Sequence, residues 1–207
     1  MKTALVLAAH GDDETSMAGT IRKLVLNKWK VHLIVGTLEI GNINRTSEEL
    51  EQALKLLGVS GYDLLDFRSW VRDDRTLISV LDQKIENIKP DVIFSHWLGD
   101  THLEHQLLTK AAMTAIRRTG ISLLMYKEPN TGGPSSEAFR PDILIDITET
   151  YDLKIRTLEA YKSQISRYKF WRQATEGAAK YYGSMMMVPY AEAFQVVKFI
   201  WNEDWKI

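Results

Sequence analysis

The stretch ALVLAAHGDDE, residues 4 to 14, runs six small or apolar residues into a histidine, a glycine and three consecutive acids. A short continuous apolar run is the pattern of a strand buried on both faces, and such strands belong to parallel sheets covered by helices. Acids crowded at its end repel one another unless a cation or a shared proton offsets them. The opening therefore asks for a sheet around it and for a partner to its charge.

The same kind of run recurs as VHLIVGT (31 to 37), DLLDF (63 to 67), DVIFSH (91 to 96), ISLLMY (121 to 126) and DILIDI (142 to 147). Between them 15 to 28, 46 to 57, 78 to 88 and 103 to 118 read as helices, with Leu50, Ala53, Leu54 and Leu57 forming one apolar stripe. Thr46 or Ser47 can cap the second helix, Gly58 can stop it, and Pro90 parts the third helix from its strand. The order βαβαβαβαβ predicts a Rossmann-like open, mostly parallel α/β sheet with helices on both faces. The stretch 128 to 141 is a long loop rich in Gly, Pro and Ser, and a helical period resumes over 150 to 165. With no internal repeat or linker, residues 1–207 read as a single domain.

The composition narrows the function. Net charge is -1 and the 26 basic residues are scattered, so no nucleic-acid footprint is present and a small neutral or polar ligand is expected. There is no cysteine, which excludes disulfides and thiolate ligands and leaves His, Asp and Glu to bind any metal. The first apolar run is too short for a signal peptide, and none approaches the roughly 20 residues of a membrane span. The expectation is a cytoplasmic protein with no membrane span, and the sequence leaves room for a homo-oligomer.

In open α/β sheets ligands bind at the carboxyl ends of strands, where the acids of the first strand lie. A second cluster, SHWLGDTHLEH (95 to 105), ends the fourth strand and holds three of the five histidines. Three such side chains plus water make an open catalytic zinc site, and His10, Asp13 and His105 are the expected ligands of one Zn²⁺. A cation of this kind lowers the pKa of water to about 7. Asp12 is then the general base, and His102 stabilises the oxyanion and protonates a leaving amine. Asp100 is expected to bond the far nitrogen of the His102 ring and fix its tautomer. The set describes metal-assisted hydrolysis of an amide or similar bond.

AHGDDE followed about ninety residues later by DTHLEH resembles the signature pair of the PIG-L/LmbE-like zinc-dependent N-deacetylases, AHPDDE and an HPDH-type motif. The resemblance implies a Rossmann-like domain that removes an acyl group, usually acetyl, from an N-acylated amino sugar or glycoconjugate. It places the zinc ligands on His10, Asp13 and His105, the base on Asp12 and the assisting histidine on His102. It makes Arg45 a substrate contact, and DITETYDLKIRTLEAYKSQ and YAEAF (190 to 194) resemble its later motifs. Gly11 stands where the family has proline and Glu104 where it has aspartate, which puts loop rigidity and an orienting role in question.

Each residue also has a plainer reading. Asp12 or Asp13 can simply cap the helix that starts near Thr15. His96 is either a pocket residue in contact with substrate or a packed strand end, and His32 is structural. Arg45, Glu128 and Asn130 fall on the site's side of the sheet but also suit a surface or a turn. Trp70, Tyr126 and Trp171 can stack on a sugar, though aromatics are more often core, and Met185, Met186 and Met187 fill space or form a mobile flap.

Three rival functions stand beside the deacetylase. A nucleotide-binding module is disfavoured because the carboxylates of HGDDE repel pyrophosphate. A silent sugar-binding protein has no use for Asp12 and His102 together. An amidase of another bond, such as a thiol conjugate, stays open.

Overall fold

The computed structural model describes residues 1–40, 43–65, 74–129, 135 and 137–200. Strand β1 (Thr3–His10) is buried from Ala4 onward, and its alternate residues part to two faces. Ala4, Val6 and Ala8 join a core with Ile21 of α1 (Ala18–Leu26), Leu50 of α2 (Ser47–Leu57) and Leu158 of α5 (Tyr151–Ala160). Leu5, Leu7 and Ala9 join a second core with Leu81 of α3 (Asp74–Ile88) and Leu108 of α4 (Leu103–Ala115). A strand apolar at every position is therefore one that serves two helical layers.

Parallel neighbours flank β1: β2 (Lys30–Thr37) on one side and β6 (Val92–His96) on the other. A short hairpin of β3 (Glu39–Ile40) and β4 (Ile43–Asn44) follows β2. With β5 (Gly61–Leu64), β7 (Ser122–Tyr126), β8 (Ile143–Asp146) and β9 (Ala191–Lys198) the main sheet has the order β5-β2-β1-β6-β7-β9-β8. Only β9 runs antiparallel, to both β7 and β8. The strand order reverses between β1 and β6, so the switch-point crevice opens above His10 and His96.

The six expected strands all enter this sheet, and the predicted α/β class is the observed one. Residues 66 and 67 of the third expected strand, Trp70 and Asn130 lie outside the described residues. The first expected helix starts differently: a 3₁₀ turn over Asp13–Met17 precedes α1. The helical period over 150 to 165 divides into α5 and α6 (Lys162–Arg167) at Tyr161. Helix α7 (Trp171–Met186) and strand β9 were not expected from the sequence. Tyr126 and Trp171 are core residues, and no helix among the described residues is long and apolar enough to cross a membrane.

The second helix starts where its sequence says it should. Thr46 and Glu49 form a capping box, and Gly58 ends the helix at φ 75°, a left-handed conformation that suits glycine. Glu49 also accepts from the backbone N–H and the hydroxyl of Ser163, at 2.8 and 2.7 Å. One carboxylate thus joins the starts of α2 and α6 and fixes the chain beside Arg45. Glu49→Ala should lower the unfolding free energy by about 2 kcal/mol, measured by denaturant titration, with Glu49→Gln losing less.

Candidate active site

Strands β1 and β6 pair only as far as Val6 and Phe94, and a side chain takes over where the ladder opens. The N–H of Ala9 donates to His96 Nε2 at 3.1 Å, and Tyr126 Oη lies 3.2 Å from the same nitrogen. His96 has no exposed surface; its ring stacks on His105 with centroids 3.8 Å apart. His96 is thus buried at the end of β6 with its ring against the side chains of Asp13 and His105.

Above it, Asp13 turns back on its own strand, its Oδ2 accepting from His10 N–H at 2.7 Å. The same oxygen lies 3.1 Å from His96 Nε2, 3.5 Å from His10 Nδ1 and 3.6 Å from His105 Nε2. His10 Nδ1 and His105 Nε2 are 3.3 Å apart. Burial alone would raise the Asp13 pKa, but His105, His10 and His96 outweigh it and hold the carboxyl well below its usual range.

The trio His10, Asp13 and His105 has the spacing of a metal site. Tetrahedral zinc with bonds of about 2.0–2.1 Å sets its ligand atoms about 3.3 Å apart, close to the separations above. The Nδ1–H of His105 donates to Asp100 Oδ2 at 3.0 Å, which leaves the Nε2 lone pair free toward Asp13 and His10. Burial, with His96 adding to it, lowers the His105 pKa and favours the neutral ring a metal requires. Two further combinations, His10 with His102 and His105, and Asp13 with His96 and His105, also bring three ligand atoms within 4.8 Å of one another. The donor set fits a divalent cation of the zinc type.

Asp100 corrects one expectation. It does not reach the His102 ring: Oδ1 accepts from the His102 backbone N–H at 2.8 Å, while Oδ2 holds His105. The orienting acid of His102 is Glu104, whose Oε2 lies 2.7 Å from His102 Nδ1. The reason is helical geometry. His102 is the N-cap of α4 with extended backbone, so its ring meets the first turn, which carries Glu104, while His105 faces back toward Asp100. The Glu104 carboxylate beside it raises the His102 pKa, and the longer side chain at this position still reaches the imidazole.

Asp12 and Arg45 form a buried ion pair, with Arg45 Nε 2.6 Å from Asp12 Oδ1. Burial raises the Asp12 pKa and Asp13 adds to it, while Arg45 and His10 oppose the rise. Arg45 Nη1 is buried and has no hydrogen-bond partner among the described residues. Glu128, after β7, accepts from the Ser16 hydroxyl at 2.6 Å, and burial reinforced by Asp13 pushes its pKa well up.

Neither Asp12 nor Asp13 caps a helix with its side chain. The N-terminus of α1 is capped from β9: Glu192 Oε1 and Oε2 accept from the N–H groups of Gly19 and Thr20 at 3.0 and 2.7 Å. Glu192 and Lys154, which pairs with it, received no role of their own from the sequence, although they stand in YAEAF and DITETYDLKIRTLEAYKSQ, the segments that resemble the family's later motifs. A lysine in a helical period and a glutamate in an alternating run read as solvent-facing charges, so periodicity conceals both. Glu14 is likewise buried, accepting from Tyr161 Oη at 2.7 Å.

The sequence profile of the PIG-L family, described as GlcNAc-PI de-N-acetylase, matches residues 5–116, and the chain belongs to that family. It is 25% identical over 187 residues to a probable N-acetyl-alpha-D-glucosaminyl L-malate deacetylase 2 of Bacillus subtilis (strain 168), covering 77% of this chain and 82% of that protein. The conserved protein TT1542 of Thermus thermophilus shares the fold with TM-score 0.85 and 21% identity over the whole of both chains. The N,N'-diacetylchitobiose deacetylase of Pyrococcus horikoshii superposes with TM-score 0.80 at 21% identity, covering 95% of this chain and 84% of that one. The 4-carboxy-2-hydroxymuconate hydratase GalB of Pseudomonas putida does so with TM-score 0.79 at 20% identity over both whole chains.

The pairing of His102 with Glu104 gives a direct titration test. A carboxylate beside an imidazole stabilises its protonated form, so Glu104→Gln should lower the His102 pKa. The ring proton shifts of His102 followed by NMR against pH should move their midpoint down. A midpoint unchanged by Glu104→Gln but lowered by Asp100→Asn would return the orienting role to Asp100.

Proposed function

We propose that this member of the PIG-L family is a metal-dependent deacetylase that hydrolyses the N-acetyl group of an amino sugar or a small glycoconjugate. The observation that carries the reading is the convergence of His10, Asp13 and His105 at 3.3 to 3.6 Å, with Asp12 and His102 as neighbours. The names of the relatives support the substrate class: one is described as acting on an N-acetylglucosaminyl malate and another on N,N'-diacetylchitobiose.

In this reading His10, Asp13 and His105 hold one ion, zinc by its preference for nitrogen and oxygen ligands in an open three-residue site. Zinc supplies Lewis acidity, making water a better nucleophile near neutral pH and polarising the acyl oxygen. Asp12 accepts the proton that water loses, on a carboxylate whose ionised form Arg45 favours against the effect of burial. His102, whose protonated form Glu104 favours, hydrogen-bonds the developing oxyanion. It then gives its proton to the amine nitrogen as the C–N bond breaks, so the products are the free amine and acetate. Asp100 positions His105 and acts on the chemistry only through it. Arg45, with a buried Nη1 to spare, and Glu128 are the proposed substrate contacts, while His96 supports the ligands from below.

A second reading has one observation behind it, the hydratase among the structural neighbours, which shares the whole fold. Acetate release decides between them. Zinc-loaded protein should release acetate from at least one of N-acetylglucosaminyl malate, N,N'-diacetylchitobiose and N-acetylglucosamine, and lose that activity after chelation. No release from any N-acetylated sugar would leave a hydratase or the thiol-conjugate amidase as the better account.

The adjacent acids should separate cleanly. Asp12→Asn keeps the shape but loses the basic oxygen, so metal should stay while kcat falls roughly 10²–10⁴-fold. Asp13→Asn and His105→Ala should instead lower metal content, read by elemental analysis, and added zinc should restore part of the Asp13→Asn activity. Full activity in Asp12→Asn would remove it as the base, and full metal occupancy in His105→Ala would refute the ligand set.

A further inference from the structure

Two charged residues outside the site send their hydrogen bonds into the segment that follows Asp12 and Asp13. Lys154, on α5, is 2% exposed, and its Nζ donates to the carbonyls of Thr15 and Ser16 and to Glu192 Oε1, each at 2.7 Å. An ammonium has three protons, so these acceptors use all of them. Glu192, on β9 and 5% exposed, commits its two oxygens to that lysine and to the N–H groups of Gly19 and Thr20. The pair therefore binds four points of the chain between Asp13 and the first turn of α1.

Thr15 carries the restraint back to the acids. Its backbone N–H and its hydroxyl both reach the carbonyl of Asp12, at 3.2 and 2.7 Å. The path from Lys154 Nζ to the Thr15 carbonyl, and from the Thr15 hydroxyl to the Asp12 carbonyl, leaves little freedom for the peptide between Asp12 and Asp13.

A buried ion pair is a weak source of stability, because desolvating two charges offsets most of their attraction. A pair of apolar side chains would fill the same space with less desolvation, but it would leave two carbonyls and two N–H groups of the turn without partners. What the charges provide in particular is direction.

We infer that Lys154 and Glu192 are positioning residues for the reaction, fixing through Thr15 the backbone from which Asp12 and Asp13 project. Neither touches the ligand atoms, and the inference rests on the roles proposed above for those two acids. The pair makes the geometry of the acidic turn depend on α5 and β9, elements encoded about 140 and 180 residues further along the chain.

Two variants and a control test it. Lys154→Met removes the cation and keeps an unbranched apolar chain. Thr15→Val removes only the hydroxyl that reaches Asp12 and leaves the ion pair intact, while Thr15→Ser restores that hydroxyl. Zinc affinity is measured by chelator competition on stripped protein, alongside kcat and KM for acetate release and the unfolding midpoint.

Lys154→Met and Thr15→Val should each weaken zinc binding or lower kcat by roughly 10-fold or more, with KM changed by less than about 3-fold, and Thr15→Ser should match wild type. If Lys154→Met fails to fold, Thr15→Val decides alone. Folded Thr15→Val with wild-type zinc affinity and kcat would overturn the inference and leave the pair a structural one. Wild-type protein that holds no zinc would overturn the ligand assignment and this inference together, which separates the two failures.

Discussion

Asp12, Asp13 and Glu14 are three consecutive carboxyl groups, none more than 5% exposed, and the rest of the molecule is arranged to make that tolerable. Carboxylates so close in a low-dielectric setting cannot all stay charged without partners. The fold gives each a different one. Arg45 comes from the chain before α2, the imidazoles of His10, His96 and His105 from two strands and a helix, and the Tyr161 hydroxyl from the α5–α6 junction. Burial and the two neighbouring acids push the Glu14 pKa well up against the Tyr161 bond, which favours the neutral form of this third acid. Segments from five parts of the chain thus meet at one three-residue stretch, and the different partners are what give adjacent, chemically similar residues different tasks.

How much of this the sequence revealed follows from what periodicity can report. The strands of the parallel sheet were legible because both faces are covered, so their apolar runs are unbroken. The two signature clusters were legible because they stand at strand ends. Strand β9 was not, because its second residue is Glu192, a buried charge committed to the start of α1. Helix α7 begins without a side-chain cap and contains Gly177 and Gly183. A Cβ at Gly183 would lie 2.6 Å from the Val188 carbonyl oxygen, so close backbone approach, not helical preference, accounts for that residue. Asp100 and Glu104 were confused for a related reason: both lie two residues from His102, and only the backbone at the N-cap says which one its ring meets.

The plain reading of paired acids at a strand end, that they cap the next helix, fails on a physical point. An N-cap carboxylate engages its oxygens with backbone N–H groups, so it has fewer left for a metal or a proton. Here Glu192 performs that service for α1 from the far side, and Thr15 satisfies the Asp12 carbonyl from within the turn. Asp12 keeps its side chain for Arg45 and the site, and Asp13 accepts one bond from His10 N–H while the same oxygen faces three imidazoles. Delegating the cap is what leaves the acids available.

Gly11 raises the question of how the turn is held, since the AHPDDE signature that AHGDDE resembles has a proline there. A Cβ built at Gly11 would come within 2.5 Å of Leu38 Cδ2, so the Leu38 side chain occupies room beside the turn that a ring would contest. The Leu38 side chain lies on the outside of the turn, and Asp13 Oδ2 on His10 N–H closes it from inside. Lys154 and Glu192 fix its exit through Thr15, Ser16, Gly19 and Thr20. Proline acts by narrowing φ in the unfolded chain as well as the folded one, whereas these contacts exist only once the sheet, α5 and β9 have assembled. Order at the acidic turn is therefore a property of the completed fold, and the glycine is compatible with a rigid site because tertiary bonds on both sides do what a local ring would otherwise do.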